Sequence, residues 1–196
     1  MKIPIEYIPN LNGEQKRLLD ALCWAHQEAA KVNRNVSTVT MMNAMMGSGR
    51  IENGIAAAIL TLGHIHAPIL AARGLYENGE KEVVQLMIRR GQKIAGFGNS
   101  FYKTSIDPAF NDVMNILNVS FPKAIARINE LSGWMIEAGK PLYPNAALIT
   151  AAVCSECKIR GGTESSLFIL WRLPVWVDEM TRGWDEATEP KSPILT

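Results

Sequence analysis

The residues with chemistry to offer stand in a few short clusters. Gly96-Phe97-Gly98-Asn99-Ser100-Phe101-Tyr102-Lys103 sets an amide and a hydroxyl behind two glycines, and Asp107-Pro108 follows. Glycine lets the backbone pass close to another group and take positive φ. Asp at an N-cap with Pro at the first helical position starts a helix. The pattern predicts a tight loop between two helices that presents Asn99 and Ser100, the kind of loop that carries function on a rigid scaffold. The same glycines suit a plain helix–helix connection, and local chemistry leaves both readings open. His64 and His66 lie between Gly63 and Pro68, where a helix is interrupted. Being two apart they do not share a helical face, and no acid or thiol stands at ligand spacing, so a metal site is not expected. Cys154-Ser155-Glu156-Cys157 is a single C-x-x-C without the further ligands zinc needs or the βαβ context of a redox pair. Both thiols are expected to be helix-packing residues. Met41, Met42, Met45 and Met46 read as core or dimer filling rather than an adaptable binding surface.

These clusters need elements to position them, and the spacing of apolar residues supplies helices. Asn12 is expected to cap a helix to about Val32, with Leu18, Leu19, Leu22, Ala25 and Ala29 on one face. Ser37 is expected to cap a segment from Val39 to Met46, and a third helix to run from Glu52 through Leu60. Further helices are expected over Ala71–Tyr76 and Lys81–Arg90, the latter with Val83, Val84, Met87 and Ile88 inward. Pro108–Leu117 and Phe121–Ala138 follow, the second with Ala124, Ile128, Leu131 and Met135 on one stripe. Tyr143-Pro144-Asn145 opens a helix through Val153. Thr163 is expected to cap a last long helix, kinked or broken at Pro174. No stretch alternates polar and apolar long enough to be a strand, so the fold class is all-α, with about ten helices.

The 196 residues are 47% hydrophobic and 20% charged with net charge +1, enough chain for a full core without staples. The balanced charge gives no reason to expect nucleic acid or an anionic membrane as partner. The least charged run, Ile55 to Ala72, reads as buried helix rather than a membrane span. Three cysteines make no disulfide framework and the start lacks a signal-peptide core, so a cytoplasmic setting is expected.

Several stretches, in order, resemble the citrate synthases and their citryl-CoA lyase relatives. Gly63-His64-Ile65-His66 is similar to the family's G-P-L-H. The Gly96 loop with Asp107-Pro108 resembles G-F-G-H-x-V-Y-K followed by D-P-R. Tyr143-Pro144-Asn145-Ala146-Ala147 looks like Y-P-N-V-D, and Phe168 to Trp176 resembles F-A-L-A-R-x-P-G-W. Asn35-Val36-Ser37-Thr38 is a weaker match to N-A-S-T. The resemblance implies an all-α homodimer with two domains. Residues 1–68 and 146–196 would form a short large domain, and 69–145 a small domain carrying the loop. A coenzyme A thioester and an oxo-acid would bind between them, without metal. It implies catalytic roles for His66 and Asn99 and substrate contacts from Arg172, Asn145 and Ser100. Gly96, Phe97, Gly98 and Lys103 would contact the CoA thioester.

Chemistry next to a thioester requires a base for the α-proton and donors for the enolate and the partner carbonyl. Carried over by position, His66 keeps the enolate-holding His and Arg172 a carboxylate-binding Arg. Asn99 replaces the carbonyl-polarising His and can still donate, though it cannot be a cation. Ala109 replaces the Arg of D-P-R, Val32 stands where an early His would, and Ala147 replaces the catalytic Asp. A methyl accepts no proton. Two readings therefore stand: an enzyme with altered substrate and a relocated base, for which Glu156 and Glu164 are candidates, or a family member without C–C chemistry that binds ligand or serves as a structural homodimer.

Overall fold

The computed structural model describes residues 8, 10–32, 36–61 and 68–188. His64 and His66, Asn35 and the tail beyond Thr188 lie outside the described residues. Among the described residues there are nine α-helices and no strand, as the apolar spacing indicates. The helices are α1 (Gly13–Val32), α2 (Val36–Ser48), α3 (Ile51–Leu60), α4 (Ile69–Asn78), α5 (Lys81–Arg89), α6 (Asn111–Ser120), α7 (Pro122–Glu137), α8 (Ala146–Glu156) and α9 (Glu164–Thr188), with a 3-10 turn at Pro108–Phe110. None is long and apolar enough to cross a membrane.

α1 begins at a reciprocal cap. The Gln15 N–H donates to the Asn12 side chain at 2.9 Å, and the Asn12 N–H to the Gln15 side chain at 3.0 Å, which satisfies two otherwise orphaned donors. Its expected face is the inner one: Leu18, Leu19, Leu22 and Ala25 are fully buried. α8 organises the fold. Its residues Ala147 to Cys154 are all buried, as expected of a helix apolar all round, and it packs on α4 and touches α1, α6, α7 and α9. α7 turns Ala124, Ile128, Leu131 and Met135 inward as its spacing predicts. α2 and α3 pack on each other and on α9, with Met41 and Met45 fully buried against Trp176 and Met180, so this pair of methionines is core.

Four local expectations need correction. Ser37 is the second residue of α2 rather than its cap, because the helix begins at Val36. Thr163 turns its hydroxyl back to the Arg160 carbonyl, and the Glu164 carboxylate accepts the Gly162 N–H at 2.7 Å instead. Of the two expectations at Pro174, the break does not occur: α9 runs through it as one helix of 25 residues; Trp171 and Trp176, one on each side of the proline, are buried, and that packing outweighs the missing N–H. Val83 is half-exposed rather than inward; only Val84 of α5 is fully buried.

Candidate functional site

Two of the sequence clusters are tied together by the backbone. The Gly98 N–H donates to the Tyr143 carbonyl and the Asn145 N–H to the Gly96 carbonyl, both at 2.9 Å, around an isolated antiparallel bridge between Phe97 and Pro144. Asn145 secures the junction. Its amide nitrogen donates to the Gly98 carbonyl at 2.8 Å, and its oxygen accepts the Ala147 N–H at 2.9 Å, capping α8. Both ends of the Asn145 side chain are thus engaged within the protein, which gives it a positioning role. The crossing also requires glycine. Gly96 has φ +85°, and a Cβ there would meet Leu148 Cβ at 2.7 Å. Gly96→Ala is expected to destabilise the fold by about 2–4 kcal/mol, from the left-handed backbone and the clash together. Chemical denaturation measures this, and a loss below 1 kcal/mol would mean that the loop is not pinned as described.

Beside this junction lies a cavity of about 1200 Å³. One wall is the loop from Lys93 to Phe101; the elbow between α4 and α5, with Leu75, Glu80 and Val83, forms another. Asp107, Asn145, Ala146, Ala147, Phe168 and Arg172 complete it. Asn99 lines the cavity, and its side-chain oxygen accepts the N–H groups of Phe101 at 2.8 Å and Tyr102 at 3.4 Å. The oxygen shapes the turn, which leaves the amide N–H as the group the residue can offer a ligand. Ser100, Gly96, Phe97 and Gly98 also line the cavity, whereas Lys103 is exposed and does not. His66 lies outside the described residues.

Arg172 is the buried cation of this wall. It is 5% exposed, its Cζ lies 4.3 Å from the centroid of the Phe168 ring, and its Nε has no hydrogen-bond partner among the described residues. Burial lowers its pKa to about 10, against the opposing pull of the Asp107 carboxylate, so it remains charged at neutral pH. Asp107 accepts the Ala109 N–H at 3.0 Å, starting the 3-10 turn as Asp-Pro predicts. Ala147 brings a methyl to the same wall. Neither Glu156 nor Glu164 does: Glu156 takes the Tyr76 hydroxyl at 3.1 Å, and Glu164 pairs with Arg73. The carboxylates that line the cavity, among the described residues, are Asp107 and Glu80.

Sequence reasoning missed His26. It is fully buried on α1, its Nε2 is 2.7 Å from the Thr150 hydroxyl, and its ring packs against Phe110, Phe168 and Trp171. The signal was present, since residue 26 falls four after Leu22 and seven after Leu19 on the buried face. The thiols of the C-x-x-C are buried and form no disulfide among the described residues, and Cys157 Sγ donates to the Gln15 carbonyl at 3.8 Å. Burial, aided by Glu156, pushes Cys157 up to about 12, and burial raises Cys154 as well, the opposite of what a reactive thiol needs. Among the described residues no group of three or more His, Cys, Asp or Glu is placed to hold a metal ion.

Comparison with solved structures settles the architecture. The citryl-CoA lyase of Hydrogenobacter thermophilus superposes with a TM-score of 0.71 at 21% identity, over 95% of this chain and 75% of that one. The citrate synthase of Thermotoga maritima gives 0.75 at 22% identity, over 95% of this chain and 54% of that one. This chain has the citrate synthase fold. The citrate synthase of Thermoplasma acidophilum, solved as a ternary complex with carboxymethyl coenzyme A and oxaloacetate, gives 0.70 at 21% identity, over 92% of this chain and 50% of that one. The chain thus spans about half the length of these two synthases and three-quarters of the lyase. No family model and no curated protein matches the sequence. Within the citrate synthase fold the junction of the Gly96 loop with Asn145 stands at the edge of the cavity, and the buried guanidinium stands in its wall.

Proposed function

We propose that this chain is a member of the citrate synthase and citryl-CoA lyase superfamily that binds a CoA thioester and an oxo-acid in the cavity, with C–C bond making or breaking at the family's position suppressed. The observation that carries this reading is Ala147. Its methyl stands on the cavity wall, the Tyr143-Pro144-Asn145-Ala146-Ala147 resemblance assigns this position to the family's base, and Glu156 and Glu164, the candidate substitutes, are engaged elsewhere. The cavity is large enough for the reacting end of a thioester and retains Arg172, whose guanidinium suits a carboxylate. In this reading residues 69–145 form the small domain, His66 faces the thioester, Asn99 donates to the oxo-acid carbonyl, and two copies assemble as in the family.

The enzymatic alternative needs Asp107 or Glu80 as base. Asp107 already accepts the Ala109 N–H and acts on Arg172; Glu80 is solvent-exposed at the elbow. Loss of a positioned base costs about 10²- to 10⁴-fold in rate, so thioester binding is expected to survive while proton abstraction does not. Calorimetric titration with acetyl-CoA should give heat at millimolar ligand or below. Deuterium exchange into the acetyl methyl should stay near the buffer rate. Absence of heat would remove the ligand assignment, and rapid exchange that His66→Ala abolishes would establish the enzyme instead.

A further inference from the structure

We infer that His26 is a positioning residue: a neutral imidazole protonated at Nε2 that holds Phe168, and through its ring the Arg172 guanidinium, in the cavity wall. This rests on the reading of Arg172 as the group that meets a ligand carboxylate.

The proton assignment follows from Thr150. Its hydroxyl has one hydrogen, given to the Ala146 carbonyl at 2.6 Å. In the 2.7 Å contact with His26 the hydroxyl oxygen must therefore accept, and Nε2 must carry the proton. Nδ1 is left with its lone pair, buried and without a partner among the described residues. A second proton would go there and find no acceptor, a costly arrangement. Burial, then the charge of Arg172, holds the His26 pKa well below its ordinary value. Among the described residues the charged group that acts on this ring is Arg172 on α9; Asp107, at the head of the 3-10 turn that supplies Phe110, acts in turn on Arg172.

The packing supplies the connection. The His26 ring stacks on Trp171 at 5.5 Å and meets Phe168 nearly edge-on at 4.9 Å. Phe168 carries Arg172 on its ring. With no hydrogen-bond partner on Nε among the described residues, the guanidinium depends on this stacking and on Asp107 for its place, so whatever fixes Phe168 fixes Arg172. The same imidazole bonds to α8 one turn beyond Ala146 and Ala147, which tethers the methyl-bearing wall to α1. A phenylalanine would fill the space and keep the aromatic contacts but lose the directed hydrogen bond. A glutamine would keep a donor near Nε2.

The test is ¹⁵N NMR of the full chain with and without oxaloacetate. The expected result is an Nε2–H imidazole for His26 and a sharp, slowly exchanging Nε–H for Arg172. His26→Phe should broaden or shift the Arg172 signal and weaken oxaloacetate about fivefold to tenfold, within the usual coupling of residues that touch. His26→Gln should restore most of both, and CoA affinity should change less than twofold. An Nδ1–H tautomer, or an unchanged Arg172 signal in folded His26→Phe, would overturn the inference. The tautomer is read on the unaltered protein, so the test survives a variant that fails to fold. Absence of oxaloacetate binding in the unaltered protein would fail the reading of Arg172 and this inference with it. Binding with no coupling to His26 would fail the inference alone.

Discussion

Ala147→Asp is expected to raise deuterium exchange into the methyl of acetyl-CoA by about two to four orders of magnitude, the factor a positioned general base supplies. The site is prepared for the carboxylate. Ala147 is the second residue of α8, its N–H is already capped by the Asn145 oxygen at 2.9 Å, and its methyl faces the cavity. Negative charge in the first turn of a helix gains about 0.3–1 kcal/mol from the macrodipole. Arg172 on the same wall offsets part of the desolvation cost, while burial keeps the acid basic enough to take a proton. Ala147→Asn, with the same shape and no basicity, should exchange no faster than the parent. If Ala147→Asp folds, binds acetyl-CoA and still fails to exchange, the methyl is not what silences the site. The donor side, with Asn99, would then be the place to look.

The sequence made the scaffold legible because helical periodicity is a local signal. The stripes of α1 and α7 could be read residue by residue, and Asn12, Asp107 and Asn145 cap where their types and spacing say they should. The convergence of the Gly96 loop with Tyr143-Pro144-Asn145 was indicated only by motif order. It depends on backbone hydrogen bonds across more than forty residues, which periodicity does not encode. The errors fall where tertiary contacts override local preference. Pro174 is expected to kink or break α9, and the break does not occur: the helix continues between two buried tryptophans. Val83 ought to turn inward on spacing, yet the elbow opens on a cavity. His26 was missed because a histidine among alanines and leucines is notable only once Thr150, which is 124 positions away, is seen beside it.

Glu164 was a candidate base from the sequence; the structure gives it a different task, and its removal is expected to cost about 3 kcal/mol of stability. The carboxylate is 1% exposed. It pairs with the Arg73 guanidinium and accepts the Gly162 N–H at 2.7 Å, closing the turn before α9 onto α4. Breaking a buried pair by removing one partner costs about 3–5 kcal/mol. The lower end applies because Arg73 keeps two other acceptors, Glu77 at 2.7 Å and the Ile159 carbonyl at 2.8 Å, and is itself 13% exposed. Glu164→Gln should cost less than Glu164→Ala, since the amide oxygen can still receive the Gly162 N–H. Denaturant midpoints at constant m-value would measure both. Because Arg73 and Glu164 stand away from the cavity, acetyl-CoA affinity in folded Glu164→Gln should match the parent. A variant that keeps its stability but loses thioester binding would return Glu164 to the site and contradict the structural role derived from its contacts.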